Sequence, residues 1–353
     1  MTTPFPPLNA ARLWARVEAL SAFTLPDVPW TRRAFSPQFD QARDWLRQQF
    51  IDAGMDVHLD AGGNLVGRLA GRADGRSPKP LVTGSHCDTV MMGGRFDGII
   101  GVLAGIEVAH TLHENGIALA HPFEVIDFLS EEPSDYGISC IGSRAISGQL
   151  PVEMLAATNP EGETLAAGMR RIGAEPAALT QALRGPGSVA AFVELHIEQG
   201  PVLENRGLPI GVVTNIVGIQ RVSIVVDGQP DHAGTTPMDI RHDALVGAAR
   251  IIDTVNRHAG ALDGQPHYVV ATIGRLTLTP NASNAVPGRV EMMMEVRSTS
   301  PAVLDSFPGE VMAAVAAGLQ ELRVSATMVP VSRSKPTDCT EQVMAAIERA
   351  SAQ

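Results

Sequence analysis

The sequence predicts an α/β protein: an open-sheet domain carrying an inserted α+β domain with a four-stranded sheet. Two observations predict it. First, three short apolar segments, residues 80–85, 122–129 and 189–195, read as buried strands. Each runs straight into chemistry-bearing residues: His86 and Asp88, then Glu131 and Glu132, then His196. In open α/β sheets, sites lie beyond the carboxyl ends of the strands, which groups residues far apart in sequence. Second, the pattern changes near Gly211. From Val217 to about Val329 it runs strand (221–226), helix (240–258), strand (268–277), strand (286–296), helix (302–322), strand (323–327). Four strands and two helices in that order suit a single sheet with both helices on one face. The domains expected are therefore 1–212, an insertion at 213–329, and a return to the first domain at 330–353.

The remaining elements follow from local signals. A helix is expected near 9–23, and a second from Ser36, with Pro37 at the first helical position and Gly54 at its end. Short strands are expected at 56–60 and 64–69. An apolar helix should span 98–113 and close at Asn115-Gly116. After Pro330 the sequence predicts a polar linker and one helix, 341–351.

Bulk properties exclude several classes. The 353 residues suffice for two domains with real cores, and 44% hydrophobic against 18% charged is globular. No apolar run looks long enough to span a bilayer, and the N-terminus lacks the basic and hydrophobic regions of a secretory signal. Cys87, Cys140 and Cys339 are too scattered for a disulfide framework, which fits a reducing cytoplasm. A net charge of −11 without a basic run argues against nucleic acid.

The chemistry-bearing residues suit a metal-assisted hydrolase, which needs a carboxylate between cations, outer ligands, and a base for water. His86 supplies an imidazole, with Asp88 placed to orient it. Asp97 stands in a glycine-rich turn, Gly93-Gly94-Arg95-Phe96-Asp97-Gly98, whose backbone freedom allows close approach. Glu131 and Glu132 diverge as neighbours, so one can bind metal while the other holds a proton. Each residue alone has an ordinary reading as a polar loop or turn group. Their arrival at successive strand ends favours the metal.

Longer motifs carry a resemblance. GSHCDTV at 84–90, GGRFDGIIGV at 93–102, SEEPSDYGISCIGSRAISG at 130–148 and ELHIEQGPVLE at 194–204 resemble the amidase/hydantoinase/carbamoylase branch of the M20 metallopeptidase-like hydrolases. That branch contains N-carbamoyl-L-amino-acid hydrolases, β-ureidopropionases and allantoate amidohydrolases. DHAGTTPMDIRHDAL at 231–245 and NASNAVPGRVEMMMEVRS at 281–298 resemble its inserted lid domain. The resemblance implies a zinc-exopeptidase-like catalytic domain, three layers α/β/α around a mixed sheet, with the insertion as lid and dimerisation domain. It further implies that His86, Asp97 and His196 hold one divalent metal, with Asp97 bridging. Glu132 would hold a second, and Glu131 would be the general base. Zn2+ or Mn2+ is expected, with Co2+ and Ni2+ also accepted by such donors.

The same resemblance gives Gln199 a contact to substrate and His232 the stabilisation of an oxyanion. Asn284 and Arg297, joined by Arg221, would bind the carboxylate of a small ureido substrate. For both arginines an ordinary ion pair is the alternative. A homodimer through the lid is implied, with no nucleic-acid or membrane partner. Glu295 stands where the family more often has Asp. The family takes an outer ligand of the second metal from a C-terminal Ser-Gly-Ala-Gly-His-Asp-Ala motif. No histidine follows His267 here, so an impaired second site is expected. Besides an amidohydrolase acting on linear C–N bonds, the readings left open are a weakly active or inactive dimerising homologue and an M20 aminoacylase or dipeptidase.

Overall fold

The structure, a computed structural model, describes residues 6–72 and 78–352. It divides into two compact units, the first ending at Pro209 and the second starting at Ile210. In the first unit the element order is α1 (Ala10–Ser21), α2 (Pro37–Asp52), β1 (Asp56–Leu59), β2 (Leu65–Leu69), β3 (Leu81–Ser85), α3 (Ile99–Glu114), β4 (Phe123–Asp127), α4 (Ile141–Ser147), α5 (Leu165–Arg171), β5 (Ala191–Val193) and α6 (Val202–Arg206). Single 3-10 turns occur at Val152–Ala156 and Pro176–Gln181.

The helix ends obey the signals in the sequence. Asn9 caps α1 by accepting from the Arg12 N–H, and Ser36 caps α2 by accepting from Phe39, with Pro37 opening the helix. The apolar α3 is buried nearly all round, because α1 and α2 cover it on one side and β3 and β4 on the other. Its one buried acid, Glu107, pairs with Arg12 at 2.6 Å and Arg16 at 2.8 Å, which clamps α1 to α3.

The first sheet has the order β1-β2-β4-β3-β5 and is mixed. β1, β2 and β4 pair antiparallel, whereas β3 runs parallel to both β4 and β5. Hence the carboxyl ends of β3, β4 and β5 open on the same side. Alternation along β4 sends Val125 into the core under α1–α3 and Ile126 to the opposite face. There Ile126, Val66 and Val82 are covered by Phe128, by Ile146 of α4 and by Val189. β5 forms an edge, and Phe192, Val193 and Leu195 are exposed along and just beyond it.

The second unit contains β6 (Asn215–Ile216), β7 (Gly218–Asp227), β8 (Asp231–His232), α7 (Ala244–Leu262), β9 (Val269–Thr279), β10 (Ala285–Val286), β11 (Arg289–Ser298), α8 (Pro301–Glu321), β12 (Ser325–Ser334), β13 (Thr337–Asp338) and α9 (Glu341–Ser351), with a 3-10 turn at Met238–Ile240. Its main sheet has the order β12-β7-β11-β9 and is antiparallel throughout. Val222, Ile224 and Val226 of β7 alternate inward, as do Val290, Met292, Met294 and Val296 of β11. They form one core with Ile251 and Val255 of α7 and Leu304, Phe307 and Val311 of α8. Met292 and Met294 are therefore packing residues.

Two expectations change. Residues 330–353, expected to return to the first domain, group with the second unit. The last strand does not stop at Thr327: β12 shifts register at a bulge between Pro330 and Ser332, then pairs Ser332 with Arg221 and Ser334 with Ile219. Pro330 fits because β12 is an edge strand and the bulge needs no N–H there. Beyond it, Thr337 and Asp338 pair with Ile216 and Asn215. Second, α8 is long and apolar enough to cross a membrane by length and composition, alone among the described helices. Its apolar stripe from Leu304 to Leu319 is instead consumed by the core of the second unit.

Candidate metal centre

Three candidate ligands converge at the open ends of β3 and β5. The ligating atoms of His86, Asp97 and His196 all lie within 4.8 Å of one another. His86 follows β3 and is 2% exposed. Its Nδ1–H donates to the Asp88 carbonyl at 2.9 Å, so in the neutral ring the lone pair sits on Nε2. His196 repeats the device: Nδ1–H donates to the Ile197 carbonyl at 2.9 Å, and Nε2 stands 3.3 Å from Asp97 Oδ1. The two rings stack with centroids 5.9 Å apart. Two imidazoles held in the ligating tautomer beside one carboxylate fit a catalytic divalent ion, which takes three protein ligands and keeps a position open.

The glycine before α3 makes this approach possible. Gly98 has φ +68°, and a Cβ there would lie 2.4 Å from the His86 carbonyl oxygen and 2.5 Å from its Nε2. Only glycine lets the Asp97 turn close over His86.

Asp88 ties a second strand end to the first. Its two carboxylate oxygens accept the backbone N–H groups of Glu131 (3.2 Å) and Glu132 (3.1 Å). Glu131 brings Oε2 to 3.8 Å from His86 Nε2, and its side chain is 44% exposed. Glu132 is half-buried and stands outside the three-residue cluster. Burial, then the neighbouring Glu131, pushes its pKa up. Burial would favour the neutral His86 ring, yet the hydrogen bond and charge of Asp88, with Glu131, outweigh it and raise the pKa to about 10. Such a pocket of facing carboxylates calls for a cation.

Gln199, at φ +55°, donates its amide to both Asp97 oxygens. In the second unit, β8 pairs with β10, so His232 lies opposite Ala285, and the Ala233 N–H donates to the Asn284 carbonyl at 2.9 Å. The Gly234 N–H donates to His232 Nδ1 at 3.1 Å, so in the neutral ring the hydrogen sits on Nε2. Arg221 and Arg297 both use Nε to reach Glu295, each at 2.6 Å. The ion pair open to each arginine is thus formed with one shared acid.

Two residues near the cluster had no assigned role in the sequence reading. Glu194 accepts from Ser85 Oγ at 2.6 Å, and local desolvation of its carboxyl pushes its pKa up. Its place two residues before His196 was the available signal. The Cys140 thiol contacts Glu131 Oε1 at 3.6 Å, from a left-handed backbone at φ +57° that opens α4. Nothing in its neighbours in sequence announces that.

Comparison with known proteins agrees with this geometry. The model of peptidase family M20/M25/M40 matches residues 82–353. An N-carbamoyl-L-amino acid amidohydrolase of Geobacillus stearothermophilus is 39% identical over 346 residues, covering 97% of this chain and 83% of that protein. An allantoate amidohydrolase of Bacillus subtilis (strain 168) is 32% identical over 318 residues, covering 90% and 75%. A crystal structure of an amidase of the hydantoinase/carbamoylase family from Burkholderia multivorans superposes with a TM-score of 0.88 at 33% identity, covering 99% of this chain and 83% of that one. With its strand-end donor cluster and its match across most of the sequence, the chain belongs to peptidase family M20/M25/M40, whose members are metal-dependent hydrolases.

Proposed function

We propose that the chain is an amidohydrolase that cleaves a linear amide or ureido C–N bond of an N-carbamoyl amino acid or a related ureido acid. The observation that carries this reading is the convergence of His86, Asp97 and His196 beside Glu131. The activities named for the Geobacillus and Bacillus relatives supply the substrate class. A divalent ion, Zn2+ or Mn2+ with Co2+ and Ni2+ as further candidates, supplies positive charge that polarises the scissile carbonyl and acidifies water.

Glu131 takes the proton from the attacking water and returns one to the leaving nitrogen. Its partial exposure lets solvent reach it, and the fixed N–H groups on Asp88 hold its backbone still. For an N-carbamoyl amino acid the products are the amino acid, ammonia and carbon dioxide. Glu132 is assigned to a second ion, and Gln199 to the substrate. In the second unit we assign the substrate carboxylate to Arg297, Asn284 and Arg221, and the developing oxyanion to His232. The supports are the guanidinium fork, which suits a carboxylate, and the Nε2–H donor that the Gly234 contact leaves on His232. A homodimer through the second unit, in a reducing cytoplasm, completes the reading; the latter rests on three free cysteines.

The test is a panel of N-carbamoyl-α-amino acids, N-carbamoyl-β-alanine and allantoate, assayed with added Mn2+, beside metal analysis of the purified chain. Turnover of one, lost with a chelator, supports the proposal. Bound metal without turnover of any overturns the substrate class, and no bound metal overturns the metal centre itself.

A further inference from the structure

The turn that presents Asp97 is weakly held by its own backbone. Among the described residues, none accepts a hydrogen bond from the backbone N–H groups of Gly93 through Gly98. Three glycines in six residues give that turn more conformational freedom than any ordinary loop. A ligand carboxylate on such a turn loses affinity unless something else restricts it.

Arg95 supplies the restriction. Its guanidinium lies 5.0 Å from the centre of the Trp30 ring, 5.7 Å from Phe96 and 5.9 Å from Trp14. Trp14 and Phe96 also touch, with centroids 6.0 Å apart. Arg95 Nε donates to Ser21 Oγ at 3.3 Å, and Ser21 in turn donates to the Val17 carbonyl at 2.6 Å. So one side chain engages α1 twice, at Trp14 and Ser21, and the segment after it at Trp30.

That segment is itself fixed to the near end of the turn. Thr89 Oγ1 accepts from the Arg32 N–H at 2.8 Å and donates to the Trp30 carbonyl at 3.0 Å. The Met92 N–H donates to Thr31 Oγ1 at 2.9 Å. The platform under Arg95 is therefore ordered, whereas the turn's own backbone bonds are confined to carbonyls at its far end, where Phe96 and Asp97 accept from Ile100 and Ile99 at the start of α3. A planar, weakly hydrated guanidinium is suited to lie against several rings at once, as an ammonium is not.

We propose that Arg95 is a positioning residue for the metal centre: clasped by Trp14, Trp30 and Phe96, it fixes the glycine-rich turn so that Asp97 meets the cation in one orientation. The proposal rests on Asp97 being a metal ligand. It gives the two tryptophans a reporting function, since any shift of the turn on metal binding moves the cation above their rings.

The experiment measures Zn2+ affinity of the full chain by calorimetry, together with tryptophan emission. The protein has three tryptophans, so a Trp45→Phe background leaves Trp14 and Trp30 as the only emitters. Emission should change as Zn2+ saturates the site. Arg95→Met should weaken Zn2+ binding by about tenfold, as loss of a group orienting a ligand does. Arg95→Lys should recover part of the loss, with the melting temperature of the metal-free protein little moved in either variant. Equal Zn2+ affinity in wild type and Arg95→Met, or emission that ignores Zn2+, overturns the proposal. Should Arg95→Met fail to fold, Arg95→Lys decides alone, and wild-type affinity in it counts against the role. A wild-type chain that takes no Zn2+ removes Asp97 as a ligand, a failure of the metal centre distinct from a failure of Arg95.

Discussion

Gln199 and Asp97 are joined by a two-point contact: the Gln199 amide nitrogen stands 2.9 Å from each Asp97 carboxylate oxygen. The same oxygens are the ones offered to a cation. Amide and ion therefore compete for one carboxylate. Gln199→Ala should tighten metal binding by about 1 kcal/mol or less, the net worth of a solvent-accessible hydrogen bond. KM should rise in the same variant if the amide also touches substrate. Calorimetry with Mn2+ and steady-state kinetics separate the two effects, and weaker metal binding would contradict the competition.

His86 makes the metal-free protein sensitive to pH. Its folded pKa is raised from 6.5 to about 10, so the stabilisation from its protonated ring is fully present below 6.5 and is lost as pH climbs toward 10. The melting temperature of the chelator-treated protein should fall across that interval. The metal-loaded protein should lack this fall, because the cation replaces the proton. Calorimetry in two buffers of different ionisation enthalpy should show proton release on metal binding within the interval.

Glu131→Gln keeps the shape and the two backbone contacts to Asp88 but removes the carboxylate proposed as base. We expect kcat to drop by about 10² to 10⁴, the range for loss of a positioned base. Metal content should persist, since Glu131 is not in the ligand cluster. Elemental analysis showing lost metal would move Glu131 from base to ligand.

Gly98→Ala places a methyl group within 2.5 Å of both the His86 carbonyl oxygen and Nε2, at a backbone φ of +68°. Either the turn or the imidazole must move. A loss of at least about 2 kcal/mol of stability is expected from strain and overpacking together. Chemical denaturation and metal titration would both register it.

Glu295 occupies Nε of both Arg221 and Arg297, and those two cations hold its pKa down against the opposing effect of burial. The outer nitrogens of each guanidinium stay available for a substrate carboxylate. Glu295→Gln should cost roughly fivefold in KM, about 1 kcal/mol for a partly exposed charged contact, with kcat little changed. An unchanged KM would make the trio a surface ion network with no part in recognition.

Much of this was legible in advance, and the reasons are physical. Strands with a strict alternation, such as β7 and β11, announce both their existence and their buried face. Ser36 and Pro37 marked the start of α2, and the helix expected near residue 9 begins at Ala10. His86 and His196 could be grouped because each follows an apolar strand. What stayed hidden depends on partners distant in the chain. α4, α5 and the 3-10 turns between Glu132 and Val189 are short, and their stability comes from packing on Leu129, Tyr136 and Met169 more than from periodicity. The extension of β12 past Pro330 was masked by the proline itself, since an edge position and a bulge cannot be read from composition. The aromatic clasp on Arg95 joins residues 14, 21, 30 and 96, a juxtaposition no local pattern encodes.

The boundary between Pro209 and Ile210 sorts the functional side chains cleanly. Every group assigned to bond-breaking except His232 lies before it, and every group assigned to the substrate carboxylate lies after it. On those assignments, selection can retune which acid is accepted by rewriting residues after 210 other than His232, with the rest of the hydrolytic apparatus inherited intact. Exchange of this segment between relatives becomes a rational route to altered selectivity.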